Sequence, residues 1–272
     1  SQRAALEDPD LRRTYTIVRE KAPSAFLAAN IGAPQIIRDY GIEELMEIID
    51  MISADALIIH LNPLQEAIQP EGEAFYEGVL EKISEITEKL DVPVIVKETG
   101  AGISSEDAKR LEEAGVAGID VAGAGGTSWA AVEYYRARRR KNRFAEEIGL
   151  EFWDWGIPTA ISVVEATQSV NIPVIASGGI RSGLEVAKAI SLGASLAGFA
   201  LPILKSALEG GEKVKEKIEV IIHQLRTTMF LVGANSVKEL RRAPLIITGK
   251  TAEWLKLRGF NIESYARRKM RI

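Results

Sequence analysis

The chain has 272 residues, 46% apolar and 26% charged, with 23 Gly and 10 Pro, a globular profile that excludes collagen, a disulfide scaffold and a disordered tail. Its 34 basic and 38 acidic residues give a net charge of −4, which argues against nucleic acid as a partner; the absence of Cys excludes thiolate chemistry, and two His leave no multi-His metal site. No apolar run is long enough to span a bilayer and no signal segment opens the chain, so a cytoplasmic protein without a membrane partner is expected.

Short apolar runs alternate with helical patterns along the whole chain. The spacing predicts strands at Phe26–Ile31, Ala56–Leu61, Pro93–Lys97, Gly118–Val121, Pro173–Ala176 and Leu196–Ala200. Each is apolar without alternation, the signature of a parallel strand buried on both faces. Helices are predicted at Ile42–Ser53, Glu73–Lys89, Ser105–Ala114, Leu184–Leu192 and Val214–Val232, from apolar residues spaced three and four apart.

This alternation predicts βα units. Polar and glycine-rich residues follow every strand, which favours a closed (β/α)₈ TIM barrel over a doubly wound sheet. Six strands are counted where a barrel needs eight, so the expectation is a single barrel domain, 1–272, lacking its first two strands. An inserted helical segment is expected at 131–155 and a C-terminal extension at 243–272. The insert carries Arg136, Arg138, Arg139, Arg140, Lys141 and Arg143 between Trp129 and Trp153; it is either a solvated helix face or a lid or subunit contact. Abundant Glu, Lys, Arg and Ile without Cys hint at a thermophilic source.

Three stretches can carry chemistry. Ser177-Gly178-Gly179-Ile180-Arg181-Ser182-Gly183 follows a strand and opens a helix, the arrangement that binds phosphate through free N–H groups and the helix dipole. It also matches the barrel phosphate site after strands seven and eight. Gly123-Ala124-Gly125-Gly126-Thr127 is a second glycine loop, where a flat ligand can approach backbone. Lys97 ends an apolar strand and either pairs with Glu98 or Asp120 or meets a flavin or phosphate. His60 and Asn62, two apart, are expected on one strand face, with Gln65 and Glu66 in the loop beyond. A protonated His60 can donate to a diphosphate, and Glu66 offers a hard oxygen for Mg²⁺. Glu71 and Glu73 follow in the same stretch and are read either with its chemistry or as an acidic helix start favoured by the dipole. His223 reads as structural.

The stretches SQRAAL at Ser1, AANIGAPQ at Ala28, HLNPLQEAIQPEGE at His60, VIVKETGAGIS at Val94, AGAGGTSW at Ala122, DWGIPTA at Asp154, SGGIRSGLEVAKAISLGA at Ser177 and ALP at Ala200 together resemble the type 2, FMN-dependent isopentenyl-diphosphate isomerases. The resemblance implies a TIM barrel, FMN active in its reduced form, Mg²⁺, NADPH as reductant and a role in isoprene biosynthesis. It implies FMN contacts at Ser1, Asn30, Lys97 and Thr127, and a phosphate cradle at Gly179, Ile180, Arg181, Ala200 and Leu201. It implies substrate contacts at Ser1, Gln2, Arg3, His60, Asn62 and Gln65, with Gln65 at the reacting end as the catalytic residue and Glu66 as the Mg²⁺ ligand. It also implies a homo-oligomer, a tetramer or octamer. Family members carry a further segment before the SQR motif, with a basic stretch and a flavin-facing loop.

Two alternatives stand beside this expectation. One is an FMN-dependent 2-hydroxy acid oxidase or dehydrogenase, which needs a His base at a late strand end; here that strand is followed by Ser177-Gly178-Gly179. The other is a catalytically inactive truncated barrel fragment.

Overall fold

The computed structural model describes residues 1–269, which divide into two compact units; the last three residues of the expected C-terminal extension, 270–272, lie outside the described residues. The first unit comprises Ser1–Thr99, Lys109–Asp120 and Trp129–Trp153. Its strands β1 (Ala28–Gly32), β2 (Ala56–Leu61), β3 (Val94–Glu98) and β4 (Gly118–Asp120) pair in parallel and in chain order. Leu57, Ile59, Val94, Val96 and Ile119 are buried. Leu45 and Ile48 of the helix Ile42–Met51, and Ile83 and Ile86 of the helix Val79–Lys89, are at most 1% exposed. Spacing of three residues puts each pair on one helix face, which is what covers a sheet.

The second unit comprises Gly100–Ala108, Val121–Ser128 and the chain from Asp154 onward. Strands β5 (Val174–Ala176) and β6 (Leu196–Ala197) pair in parallel. Ala187 and Ile190 of the helix Gly183–Ser191 form a core cluster with Ala234, Leu240 and Ala243.

The strands fall within a few residues of their predicted places, but several helices depart from prediction. Val79, not Glu73, begins the second predicted helix; Gly78 before it sits at φ +79°, a left-handed turn that breaks the helix there. Pro63–Ile68 is a helix rather than a loop, with Pro at its first position and Asn62 at its N-cap. The insert contains two helices, Trp129–Arg139 and Arg143–Glu151. Strand β6 stops at Ala197, three residues early. The helix Thr159–Thr167 escapes prediction because Ile161 through Ala166 are all buried, so it shows no amphipathic period.

A buried carboxylate ties the C-terminal extension into the second unit. Glu165 is 1% exposed. It accepts from Trp254 Nε1 at 3.0 Å, from Arg258 Nε at 3.2 Å and Nη2 at 3.1 Å, and from the Ser105 N–H at 3.1 Å. Arg258 is 38% exposed, so water screens part of the pair, but removing the cation still leaves the buried carboxylate with neutral donors alone. Arg258→Ala is therefore expected to destabilise the chain by about 2–3 kcal/mol, discounted because Trp254 and Ser105 still donate. Glu165→Gln, which removes charge and keeps shape, should cost less. Chemical denaturation of both variants checks the order; an equal or larger loss in Glu165→Gln contradicts it.

Candidate functional site

Parallel pairing without stagger sets the site of the first unit. Gly32 pairs with His60, His60 with Lys97, and Lys97 with Asp120, so the four lie in one row at the strand ends. Lys97 Nζ meets Asp120 Oδ2 at 2.8 Å, the structural pairing of the two alternatives for this lysine. Asn30 Oδ1 lies 2.9 Å from His60 Nδ1. A carbonyl oxygen only accepts, so in this pair the ring donates from Nδ1. Burial lowers the His60 pKa from 6.5 to about 4, with Lys97 adding to the shift and Glu66 opposing it. His60 is thus neutral at pH 7 and would need an added proton to donate from both ring nitrogens.

The chain leaves β2 at Leu61, and Asn62 turns into the helix Pro63–Ile68. Asn62 therefore does not share a strand face with His60. Helical spacing puts Asn62, Gln65, Glu66 and Gln69 on one side. Glu66 is 9% exposed; it accepts from Asn62 Nδ2 at 2.7 Å, Gln69 Nε2 at 3.0 Å and the Glu73 N–H at 2.7 Å. Tyr76 OH bonds Asn62 Oδ1 at 2.9 Å. Gln69, Glu73 and Tyr76 thus join a network that the sequence assigned only to Asn62, Gln65 and Glu66. Among the described residues, no group of three or more His, Asp or Glu side chains is placed to hold a metal. A single carboxylate completed by phosphate oxygens and water is a normal Mg²⁺ arrangement.

At the N-terminus the three expected substrate residues are placed differently. Gln2 is 3% exposed and its amide is used internally: Nε2 donates to Ile48 O at 2.9 Å and Oε1 accepts from the Asn30 N–H at 2.7 Å. It anchors the chain beside β1. Ser1 and Arg3 flank it, exposed, with Arg3 Nε on Glu7 Oε1 at 2.7 Å. In the insert, Arg136 joins Glu133 to Glu71.

The glycine loops belong to the second unit and pack on each other. A Cβ on Gly179 would fall 2.0 Å from Gly125 O, and one on Gly178 would fall 2.2 Å from Gly123 O; φ is +79° and +104° at the two. Glycine is thus required by loop-on-loop packing as well as by any ligand. Arg181 donates to Gly179 O at 2.7 Å and Gly125 O at 3.0 Å, clamping the loops together. Ser182 caps the helix Gly183–Ser191 through the Glu185 N–H. Among the described residues the N–H groups of Gly179 and Ile180 have no partner within the protein. Two such N–H groups in the glycine turn that precedes the helix Gly183–Ser191 fit a phosphate. Ala200 and Leu201, at the start of the helix Leu201–Glu209, are exposed, as is Thr127.

The neutral His60 has a consequence for stability. The unfolded ring titrates near 6.5 and the folded ring near 4. Between these values the unfolded chain binds more protons, so stability is full above pH 6.5 and is lost as pH falls toward 4. The expected loss is at most about 3 kcal/mol. Glu85 and Glu106, each held at about 2 chiefly by side-chain hydrogen bonds from Lys89 and Arg258, act below 4.5 and so touch only the acid end of this window, equally in both variants. Denaturation midpoints across pH 4–6.5 should fall more steeply in the wild type than in His60→Gln; parallel curves contradict the shift.

Three comparisons bear on identity. Residues 72–247 match the family model described as FMN-dependent dehydrogenase. The chain is 58% identical over 268 residues to the isopentenyl-diphosphate delta-isomerase of Methanothermobacter thermautotrophicus, covering 98% of this chain and 73% of that protein. It resembles a mandelate oxidase structure holding an FMN adduct, with TM-score 0.57 at 21% identity over 86% of this chain and 74% of that one. It also resembles a Pediococcus acidilactici structure described as a lactate oxidase, with TM-score 0.55 at 21% identity, covering 83% of this chain and 60% of that one. The oxidase likenesses show the fold, a TIM barrel type built on parallel strands. No helix of the described residues is long and apolar enough to cross a membrane. The chain belongs to the FMN-dependent dehydrogenase family and to the isopentenyl-diphosphate delta-isomerases.

Proposed function

We propose that this chain interconverts isopentenyl diphosphate and dimethylallyl diphosphate by a 1,3-proton shift. The observation that carries the reading is the 58% identity, across 98% of the chain, to a relative named for that reaction. The oxidase alternative finds no support at the end of β5, where Ser177-Gly178-Gly179 supplies no His base.

FMN, reduced by NADPH, supplies the acid–base chemistry when bound, and Mg²⁺ offsets the diphosphate charge. The protein's residues bind and position. The N–H groups of Gly179 and Ile180 hold the FMN phosphate, beside Arg181, Ala200 and Leu201; Ser1, Asn30, Lys97 and Thr127 are the other flavin residues. Glu66 holds Mg²⁺. Ser1, Arg3, His60 and Asn62 take the substrate, with Gln2 as the buried anchor behind Ser1 and Arg3. A diphosphate beside His60 brings the negative charge that favours the imidazolium, so the ring gains its second donor when substrate arrives. Gln65 meets the reacting end, where a neutral amide can be desolvated without the cost of burying a charge. The chain works as a homo-oligomer, a tetramer or octamer, in the cytoplasm.

The test is direct. Purified chain supplied with FMN, Mg²⁺ and NADPH should convert isopentenyl diphosphate. Bound flavin without conversion overturns the reading in favour of an inactive fragment, and oxidation of 2-hydroxy acids overturns it in favour of the oxidase.

Two further outcomes are expected. The phosphate turn should make the chain prefer FMN to riboflavin, because charge-assisted hydrogen bonds to phosphate are lost with riboflavin. Gly179→Ala should abolish that preference, since its methyl meets the Gly125 carbonyl. Equal affinity of the wild type for the two flavins contradicts the cradle. Gln65→Ala should lower kcat by roughly two orders with KM nearly unchanged, as befits a positioned proton-transfer group. A lower melting temperature with wild-type kcat would end that assignment.

A further inference from the structure

The hydrogen bonds around Glu66 form a chain in which one carboxylate dictates the polarity of three amides. A carboxylate only accepts. Asn62 and Gln69 must therefore both turn their NH₂ groups toward Glu66, at 2.7 Å and 3.0 Å. That choice fixes their oxygens. Asn62 Oδ1 points to Tyr76, whose OH donates to it at 2.9 Å, while the same hydroxyl oxygen accepts the Asn62 N–H at 2.9 Å. Gln69 Oε1 points to Gln65 and accepts from its Nε2 at 3.3 Å. Gln65 Oε1 then faces Asn62 Nδ2 at 3.5 Å. Flipping the Gln65 amide would set NH₂ against NH₂ on one side and oxygen against oxygen on the other. Burial raises the Tyr76 pKa well above its ordinary 10, so the phenol keeps its proton over any working pH. Neither Gln69 nor Tyr76 has a role in the site as read from sequence.

We infer that Gln69 and Tyr76 are positioning residues for the isomerisation: with Glu66 they hold the Gln65 amide in one of its two orientations, oxygen toward Asn62 and NH₂ toward Gln69. The inference rests on the proposed role of Gln65. Gln69 reads the carboxylate directly and passes its polarity one helical turn back to Gln65. Tyr76 acts from the other side, denying Asn62 the flipped state in which its NH₂ would leave Glu66. Supporting groups of this kind typically change activity by about 10–100-fold when removed, without touching substrate.

The test uses Tyr76→Phe, which removes one hydroxyl and keeps the ring, and Gln69→Met, which keeps length and removes both polar groups. Each should lower kcat by about 10-fold or more while KM for isopentenyl diphosphate stays near wild type. Gln69→Glu keeps the acceptor for Gln65 but sets a second carboxylate on Glu66, so it should not rescue. In a Gln65→Ala background, Gln69→Met should cause no further loss of kcat. A readout free of flavin and substrate is the side-chain NH₂ signal of Asn62, whose protons should exchange slowly in the wild type and faster in Tyr76→Phe. Should Tyr76→Phe fail to fold, Gln69→Met alone carries the test. Wild-type kcat in folded Gln69→Met overturns the inference, as does a full multiplicative loss in the Gln65→Ala background. Wild-type kcat in Gln65→Ala itself overturns the underlying role of Gln65, and so is told apart.

Discussion

Unstaggered parallel pairing is the constraint on which the site of the first unit depends. Gly32, His60, Lys97 and Asp120 come from four strands and from places far apart in the chain, yet the register sets them in one row. Parallel strands buried on both faces have little room for polar side chains except at their ends. The row is therefore where hydrogen bonding and charge must be settled, and each member settles it differently. Gly32 contributes space, because a Cβ there would fall 2.1 Å from Gln35 Oε1 and 3.1 Å from His60 Nε2. His60 stays neutral against Asn30, and Lys97 takes Asp120 as its partner.

Beyond the row, the helix Pro63–Ile68 does what a loop could not. Pro63 sets the first turn, and the helical repeat brings Asn62, Gln65, Glu66 and Gln69 to one side. A buried carboxylate is costly unless its lone pairs are filled. Glu66 fills them with two amides and a backbone N–H, and in doing so imposes direction on its neighbours. The requirement that stabilises the carboxylate is the same one that orders the amides.

How much of this was legible follows from physical signals. Strands β1 to β5 could be read because short, unbroken apolar runs bounded by Gly, Pro and Asn suit a buried parallel strand and little else. The fully buried helix Thr159–Thr167 could not, because burial all round erases the period. Neither could the helix Arg12–Lys21, where three apolar residues, Tyr15, Ile17 and Val18, are too few to mark a helical period among charged neighbours. At the site, the residue types of His60, Asn62, Gln65 and Glu66 were legible, but their geometry was not, because a six-residue helix opened by Pro looks like a loop. Tyr76 was invisible: its bond to Asn62 spans 14 residues, and nothing in the string announces a hydroxyl partner. The glycine loops show the reverse error. Their composition pointed to a ligand, while part of the need for glycine comes from Gly125 and Gly179 packing on each other.

The pairing of cations in the first unit bears on how an anionic substrate would be taken. Lys97, Arg3 and Arg136 each already hold a carboxylate: Asp120, Glu7 and Glu133 respectively. An incoming diphosphate must then be bound by exchange, replacing a partner, or by charge created on arrival. The two routes differ in cost. The Arg3–Glu7 pair is about half exposed on both sides, and surface pairs of this kind contribute about 0–1 kcal/mol, so Arg3 can change partner with little loss. Lys97 and Asp120 are 28% and 11% exposed, so separating them strands a charge in a poorly solvated place. His60 offers the second route, because its neutral ring costs nothing to keep buried and acquires charge only when an anion is present to stabilise it. Under the proposed reading Arg3 and His60 are the responsive members, one by moving and one by protonating, while Lys97 stays with Asp120 as fixed framework. Anion capture built this way gives up affinity for discrimination, since a ligand without enough charge to protonate His60 gains only the Arg3 contact.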